Sequence, residues 1–236
     1  MKKIRKSNDR GHADHGWLKS KHSFSFADYY DPAHMNHGIL RVINEDWIDG
    51  GTGFNTHPHL NMEIISYVIE GALYHKDSMG NSTTILPCEV QRMSAGTGIR
   101  HSEHNHEINK QTHLLQIWIM PEKNNIVPSY AQKSFEKELE SNQMALVISK
   151  EGRNGSITVN QDVDMYLVKS KIAGKKIHAT TKKRDLWIQV IQGDVQVDDL
   201  FLSSGDGAGI SEADSIHISW VAGSELILFD MVKNNF

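Results

Sequence analysis

The sequence has little cysteine, no long apolar run and no excess of positive charge. Cys88 is the sole cysteine among 236 residues, which excludes an internal disulfide framework and a zinc site built from cysteines. No apolar run approaches the roughly 20 residues that a membrane-spanning helix needs. Lysine and arginine number 25 against 29 acidic residues, so the net charge of −4 gives no general attraction to nucleic acid or anionic membranes.

Two further features limit the class of protein. The basic N-terminus, residues 1–6, is not followed by the apolar core of a signal peptide, so we expect a cytoplasmic protein. The composition, 39% hydrophobic and 23% charged, is typical of a globular chain. We expect neither membrane association nor direct contact with nucleic acid.

Short β-type runs dominate the chain, and turn residues separate them. Two examples are Met62–Ile69, which ends at a Glu-Gly turn, and His113–Met120, which ends before a proline. Many short strands with regular turns indicate an all-β barrel or sandwich. The one fair helix candidate is Gln132–Leu139. The extended polar connector Pro121–Pro128 precedes it, so we place a domain boundary there and divide the chain into residues 1–130 and residues 131–236.

An internal repeat indicates that both parts are barrels. Residues 68–73, Val-Ile-Glu-Gly-Ala-Leu, resemble residues 190–195, Val-Ile-Gln-Gly-Asp-Val. Histidines also recur in the same order, with His57 and His101 in the first copy and His178 and His217 in the second. The second copy keeps one histidine of each cluster. We therefore expect the metal site described next to lie only in the first barrel.

Histidine is abundant and unevenly placed. Of the 14 histidines, 12 lie in residues 1–118. His57 and His59 form one pair with a spacing of two, and His101 and Glu103 form another. In a strand, such residues point to the same face. If the two strands face each other across a barrel, three nitrogens and one oxygen meet, a set that suits Fe(II), Mn, Ni, Cu or Zn.

Two metal motifs resemble those of cupins. They are Gly51-x5-His57-x-His59-x3-Glu63 and Gly98-x2-His101. The chain also resembles the bacterial pirin family in a series of longer motifs: Arg10–Leu18, His22–Pro32, Leu40–Asp46, His57–His59, Met62–Ile64, His75–Asn81 and Val90–Glu103. The resemblance is close over residues 10–120 and rests on length and general pattern beyond them.

The resemblance implies an all-β fold of two packed cupin barrels, which are jelly-roll-like double-stranded β-helices. By position, the implied metal ligands are His57, His59, His101 and Glu103. The generic cupin pattern offers Glu63 instead, but in pirins the usual ligand is the carboxylate of the His-Ser-Glu motif. We expect one divalent ion in the first barrel, Fe(II) before Mn, Ni, Cu, Zn or Co.

The resemblance also implies an activity. Bacterial pirins similar to this chain are associated with quercetinase activity, in which O₂ opens the ring of a flavonol. A bound metal would stabilise the substrate enolate, and Glu103 is the candidate general base. The alternatives are a regulatory pirin that binds a protein partner according to its metal state, and a cupin isomerase or hydrolase that does not use O₂.

Some other residues carry expectations of their own. Pirins usually have glycine where this chain has Cys88, so its turn is either strained or different. His75 is a candidate to orient a metal ligand through a hydrogen bond. We expect the large apolar residues near the motifs to belong to the core rather than to a pocket wall. They are Phe24, Phe26, Met35, Met93 and Trp118.

Overall fold

The computed structural model describes residues 1–233, and nearly all of the regular structure in this range is β. The strands in chain order are β1 Lys2–Arg5, β2 Gly11–Asp14, β3 Leu18–His22, β4 Leu40–Ile48, β5 Gly53–His59, β6 Glu63–Glu70, β7 Leu73–Asp77, β8 Ser82–Ile85, β9 Glu89–Ser94, β10 Ile99–His104, β11 Thr112–Ile119, β12 Ser129–Ser134, β13 Ala145–Ser149, β14 Ile157–Thr158, β15 Val163–Lys169, β16 Gly174–Ala179, β17 Arg184–Gln192, β18 Asp194–Val197, β19 Leu200–Ser203, β20 Gly207–Ser211, β21 Ser215–Trp220 and β22 Glu225–Val232. One short α-helix, α1, comprises Glu136–Glu140. No helix in the described range is long and apolar enough to cross a membrane.

The strands form two barrels of the same topology, as predicted. In the first barrel, the seven-stranded sheet β12-β9-β6-β11-β4-β3-β2 packs on the four-stranded sheet β5-β10-β7-β8. In the second barrel, the sheet β1-β20-β17-β22-β15-β13-β14 packs on the sheet β16-β21-β18-β19. The order of the small sheets matches strand for strand, which supports the internal repeat seen in the sequence.

The two large sheets pack on each other through a shared apolar core. Strand β6 shows how the alternation of side chains builds this arrangement. Ile65 and Tyr67 belong to the shared core, whereas Ile64 and Val68 belong to clusters inside the first barrel. Tyr67 also donates a buried hydrogen bond to Glu225 on β22 of the second barrel.

The barrels exchange their lead-in strands. Strand β1 pairs with β20 in the second barrel, and β12 pairs with β9 in the first. The division at residue 130 was predicted from a connector and stays a prediction. Sheet membership differs from it in two places, because β1 lies in the second barrel and β12 crosses residue 130.

The predicted helix over 132–139 was half wrong. Residues up to Ser134 belong to β12, and the helix begins only at Glu136. The polar composition of this segment suits an exposed helix, but the free edge of β9 offers backbone partners. Gln132 pairs with Gln91 in that ladder, and the side chain of Gln132 donates to Glu89 at 2.7 Å. Tertiary pairing therefore overrides the local helical preference.

The histidines of the second barrel do not face each other. His178 on β16 is buried and lies 2.7 Å from Asp230, whereas His217 on β21 is exposed. His217 pairs across the ladder with Ile177, so the two rings lie on opposite faces of their sheet. The interior of this barrel is filled by apolar side chains such as Val195, Ile218 and Leu228.

Cys88 lies in the turn before β9 with a φ of 67°. The turn that favours glycine is therefore kept, and the cysteine adopts a left-handed conformation that costs about 1–2 kcal/mol in a non-glycine residue. The expected core position holds for Phe24 and Met93, which are buried. The Phe24 ring packs at a centroid distance of 4.9 Å on Trp187 of the second barrel.

The interface between the barrels yields a stability prediction. Replacing Phe24 by Ala is expected to lower the free energy of unfolding by about 3–5 kcal/mol, because it leaves a cavity in the shared core. The matched control is Phe201→Ala, since Phe201 is 71% exposed and Phe24 is 2% exposed. Guanidinium unfolding followed by tryptophan fluorescence measures both. Equal stability of the two variants would contradict the role given to this contact.

Candidate metal centre

The predicted ligands lie on two neighbouring strands at one end of the first barrel. Strand β5 carries His57 and His59, and its partner β10 carries His101 and Glu103. His101 pairs directly with His57, whereas Glu103 pairs with Phe54, so β5 has an extra residue between the two pairs. Such a bulge turns the side chains beside it. Proline has no N–H group to donate to a neighbouring strand. Pro58 is tolerated here because β5 is an edge strand of its sheet.

Three imidazole nitrogens converge on one point. The Nε2 atom of His101 lies 2.9 Å from Nε2 of His59 and 3.0 Å from Nε2 of His57. Two nitrogens at right angles, each about 2.1 Å from an ion, are about 3.0 Å apart, whereas tetrahedral ligands are about 3.4 Å apart. The donor set and its spacing therefore fit a divalent ion that prefers six ligands, with positions left for other ligands.

The hydrogen bond of His57 fixes where its proton lies. Its Nδ1 atom is 2.8 Å from the backbone oxygen of Asn55, which can only accept. The Nδ1 atom therefore carries the proton, and the Nε2 lone pair faces the other two histidines. The tautomer of His57 is the one that binding a metal through Nε2 requires.

The charge state of the other two histidines also suits a metal. The pKa of His59 is lowered to about 4, mainly by burial and also by nearby His101 and His57. Burial likewise lowers the pKa of His101 to about 4, although the carboxylate of Glu103 opposes this effect. Both rings are therefore neutral at pH 7, which is the form that binds metal.

Glu103 lies beside His101 in a polar setting. Its side chain is buried, and Gln116 donates to its two carboxylate oxygens at 3.1 and 2.9 Å. Ser66 donates to the same carboxylate at 3.3 Å. Burial raises the pKa of Glu103, but its electrostatic interaction with the His101 ring and the Gln116 hydrogen bond outweigh burial and lower the pKa below its usual value. Glu103 is an anion that is held in place.

Glu103 also forms a potential metal-binding group with His75 and His101, all of them buried. Its assignment as a ligand stays a prediction. Glu63, the generic cupin alternative, lies on the opposite face of β6 from Ser66. Ser94 donates to Glu63 at 2.8 Å, and Asn160 of the second half of the chain donates to it at 3.2 Å. This carboxylate therefore joins the two halves and does not face the histidines.

His57, His59 and Glu103 line a cavity of about 630 Å³ in the first barrel. The N-terminal segment forms one wall, which includes His12 and His15. Aromatic residues form another: the ring of Trp118 lies at a centroid distance of 5.0 Å from His59, and Phe26 packs edge-on against Trp118 at 5.4 Å. The expected core position of Phe26 was wrong, because it lines the cavity, whereas Trp118 both lines the cavity and packs against the buried cluster of Ile64 and Met93.

Sequence reasoning missed Asn44, Gln116 and Ser66, which together with His22 form a row of polar residues at the cavity floor. His22, Asn44, Gln116 and Ser66 are direct neighbours on β3, β4, β11 and β6. They share one sheet face because they are in register. His22 lies 2.8 Å from the Asn44 side chain, and Gln116 and Ser66 hold Glu103. The signal in the sequence is a polar residue inside each of several apolar strands.

Asp46 is a further residue that the sequence reasoning missed. It lines the cavity two positions after Asn44 on β4, and Ser20 donates a hydrogen bond to it. Burial raises the pKa of Asp46 to about 7, the Ser20 bond opposes the shift, and the negative charge of Glu103 adds to it. Two carboxylates of the cavity therefore differ in charge state, because Glu103 is ionised whereas Asp46 titrates near neutral pH.

The geometry predicts which histidine the metal depends on. Protein purified with a divalent ion is expected to contain one ion per chain, and His101→Ala is expected to reduce this to background because its Nε2 contacts both other nitrogens. His104→Ala is the matched control, since His104 lies on the same strand but outside the cluster. Elemental analysis measures both. A full metal content in His101→Ala would remove the assignment.

Comparison with protein families agrees with this arrangement. Residues 3–119 match the family model for pirin, and residues 146–231 match the model described as the quercetinase C-terminal cupin domain. The first match contains all of the predicted ligands. The second match lies within the second barrel.

Relatives of known name match almost the whole chain. Quercetin 2,3-dioxygenase of Escherichia coli K12 is 48% identical over 97% of both chains, and a pirin-like protein of Caulobacter vibrioides is 41% identical over 93% of this chain and 95% of its own. The crystal structure of YhhW from Escherichia coli superposes with a TM-score of 0.95 at 46% identity over both full chains. The structure of the bacterial pirin YhhW in complex with nickel(II) gives 0.94 at 46% identity, over 99% of this chain and 100% of its own. Since sequence and fold agree over both barrels, the chain belongs to the pirin family.

Proposed function

We propose that this protein is a metal-dependent dioxygenase of the quercetinase type, which opens the ring of a flavonol-like substrate with O₂. The observation that carries the proposal is the set of three converging imidazole nitrogens. Two of these rings, His57 and His59, line a cavity of about 630 Å³, and an ionised carboxylate, Glu103, lies beside the third. Relatives named quercetin 2,3-dioxygenase that align over nearly the whole chain support it.

The metal would be held by His57, His59 and His101, with Glu103 as the fourth ligand. We propose Fe(II) as the native ion, with Mn, Ni, Cu, Zn or Co as alternatives, because imidazole and carboxylate ligands accept all of them. A relative of the same family binds nickel(II). When bound, the ion would act as a Lewis acid toward a substrate oxygen.

Glu103 is the proposed general base. An anionic carboxylate at the edge of the cavity can accept the proton of an enolic hydroxyl group. The donors Gln116 and Ser66 fix its orientation, and one oxygen accepts from both of them. If Glu103 is both a metal ligand and the general base, it must bind the ion reversibly so that it can accept the proton. The hydrogen bonds from Gln116 and Ser66 keep the carboxylate in place in either state.

The cavity wall suits an aromatic ligand with several oxygens. Phe26, Phe54 and Trp118 supply flat apolar surface, and Asn44 and Asp46 supply hydrogen-bonding groups on the floor. Such a mixture of apolar walls and few polar groups is typical of small-molecule sites. We propose a flavonol and O₂ as the substrates and a cytoplasmic location.

The test of this function combines metal analysis with a flavonol assay. Protein with one ion per chain is expected to consume a flavonol in air, with loss of its near-ultraviolet absorbance, and to leave it unchanged without O₂. The metal-free protein is the control. Bound metal without any O₂-dependent turnover would refute the proposal and favour the alternative, a regulatory protein whose metal state controls capture of a protein partner.

Replacing Glu103 tests its role within that activity. Glu103→Gln is expected to lower kcat for the flavonol by about 10²–10⁴-fold, because the amide cannot accept the proton. Glu63→Gln is the matched control: it is also a buried carboxylate near the site, but it faces the other half of the chain. Steady-state assays with metal content measured in parallel decide it. Equal turnover of both variants would exclude Glu103 as the base.

Asp46 gives the activity a pH dependence. Its raised pKa of about 7 means that it is neutral below pH 7 and an anion above it. The anion repels a deprotonated flavonol, so KM is expected to rise between pH 6 and 8. Asp46→Asn is neutral throughout, and its KM profile is expected to be flat over this range. An unchanged profile in the variant would show that another group titrates.

A further inference from the structure

Three buried side chains, those of His101, His75 and Asp77, form a continuous row of hydrogen bonds that leads away from the three-histidine cluster. The Nδ1 atom of His101, on the side of the ring away from the cluster, lies 3.4 Å from Nδ1 of His75. The Nε2 atom of His75 lies 3.1 Å from Oδ2 of Asp77. Both side chains on β7 are fully buried, and β7 pairs with β10 so that His75 is opposite Glu103 and Asp77 is opposite His101.

Asp77 is built to accept hydrogen bonds. The backbone N–H groups of Met79 and Asn81 donate to its Oδ1 at 2.9 and 3.0 Å, and the Asn81 side chain donates to Oδ2 at 2.8 Å. Burial raises the pKa of Asp77, but these bonds and that from His75 outweigh burial and lower the pKa. The Asp77 carboxylate is therefore ionised and can only accept from His75.

The position of each proton follows from this acceptor. Because Asp77 accepts, Nε2 of His75 carries a proton, and in a neutral ring its Nδ1 is then a bare acceptor. The Nδ1 atom of His101 must then donate to it, so Nε2 of His101 has a free lone pair. That atom is the one lying 2.9 and 3.0 Å from the nitrogens of His59 and His57.

We propose that Asp77 and His75 are positioning residues that set the tautomer of His101 and thereby prepare it to bind the metal. The inference rests on the metal site of the proposed function, but it does not depend on which reaction occurs there. In the other tautomer, a proton on Nε2 would occupy the place of the ion. Tyr130 of β12 packs on the His75 ring at a centroid distance of 5.1 Å and keeps this ring in place between His101 and Asp77.

Replacing Asp77 by Asn reverses the direction of the hydrogen bonds that link residue 77, His75 and His101. The Asn oxygen can still accept from Met79 and Asn81, but its amide donates to Nε2 of His75. His75 then donates from Nδ1, and His101 is forced to carry its proton on Nε2. Nickel(II) affinity, measured by competition with a chromogenic chelator, is expected to fall about 10–100-fold. Nitrogen-15 NMR of the metal-free protein is expected to show His101 changing from the Nδ1–H to the Nε2–H form.

Two substitutions of His75 separate hydrogen bonding from packing. His75→Phe keeps a ring but breaks the chain, and it is expected to weaken nickel(II) binding as Asp77→Asn does. His75→Gln can accept from His101 and donate to Asp77, so it is expected to bind nickel(II) within a few-fold of the unchanged protein. His178→Phe, which breaks the buried His178–Asp230 contact of the second barrel, is the matched control and is expected to leave nickel(II) affinity unchanged.

Circular dichroism and thermal unfolding show which variants are folded, and only folded variants are compared. Unchanged nickel(II) affinity and an unchanged His101 tautomer in Asp77→Asn would overturn the inference. Equal losses in His75→Gln and His75→Phe would also overturn it, because the effect would then be one of ring packing. Absence of flavonol turnover leaves these readouts intact, so failure of the proposed reaction is distinguishable from failure of this inference.

Discussion

The alternation of side chains in the large sheet of the first barrel is the constraint on which the rest of the structure depends. This sheet is covered on both faces, by the second barrel on one and by its own small sheet on the other. On β6, one face must therefore be apolar or paired toward the second barrel, as Tyr67 is with Glu225. The other face is free to carry Ser66 and its neighbours toward the cavity. A shift of the β6 register by one residue would turn the apolar side chains toward the cavity and the polar side chains toward the second barrel.

The two barrels share a topology but differ in what fills them. The second barrel has a closed apolar interior. Among the residues that the structure describes, its one buried histidine is His178, which is paired with Asp230. The first barrel replaces part of that interior with polar side chains that hold one another in a fixed arrangement. Buried polar groups are costly unless they are paired, so each pairing on the cavity floor supports the fold as well as the site.

The sequence predicted the part of the site that rests on short-range spacing. His57 and His59 share a face because they are two residues apart on one strand, and this rule needs no knowledge of the fold. The choice between Glu63 and Glu103 needed the family resemblance, because both lie near histidines in the chain. In the structure Glu63 contacts Asn160, about 100 positions away, and no local pattern reports such a contact.

Asn44, Asp46 and Gln116 went unnoticed because a single polar residue inside a strand has many explanations. Their role appears only when four strands are placed in register. Strand β12 was missed for a related reason. Its polar residues favour a helix locally, and only the backbone pairing with the free edge of β9 makes them a strand. The general fold was predictable from turns and β-type runs, whereas the partners of edge strands were not.

The exchange of β1 and β12 means that no single cut of the chain yields two self-sufficient halves. A fragment that ends before Ser129 leaves the edge of β9 bare, and a fragment that lacks Lys2–Arg5 leaves β20 bare. Bare edges are templates for intermolecular pairing and aggregation. The two barrels therefore depend on each other during biosynthesis. The first barrel is complete only after β12 has been synthesised. Strand β1 is made first but can pair only after β20, about 200 residues later, has been synthesised.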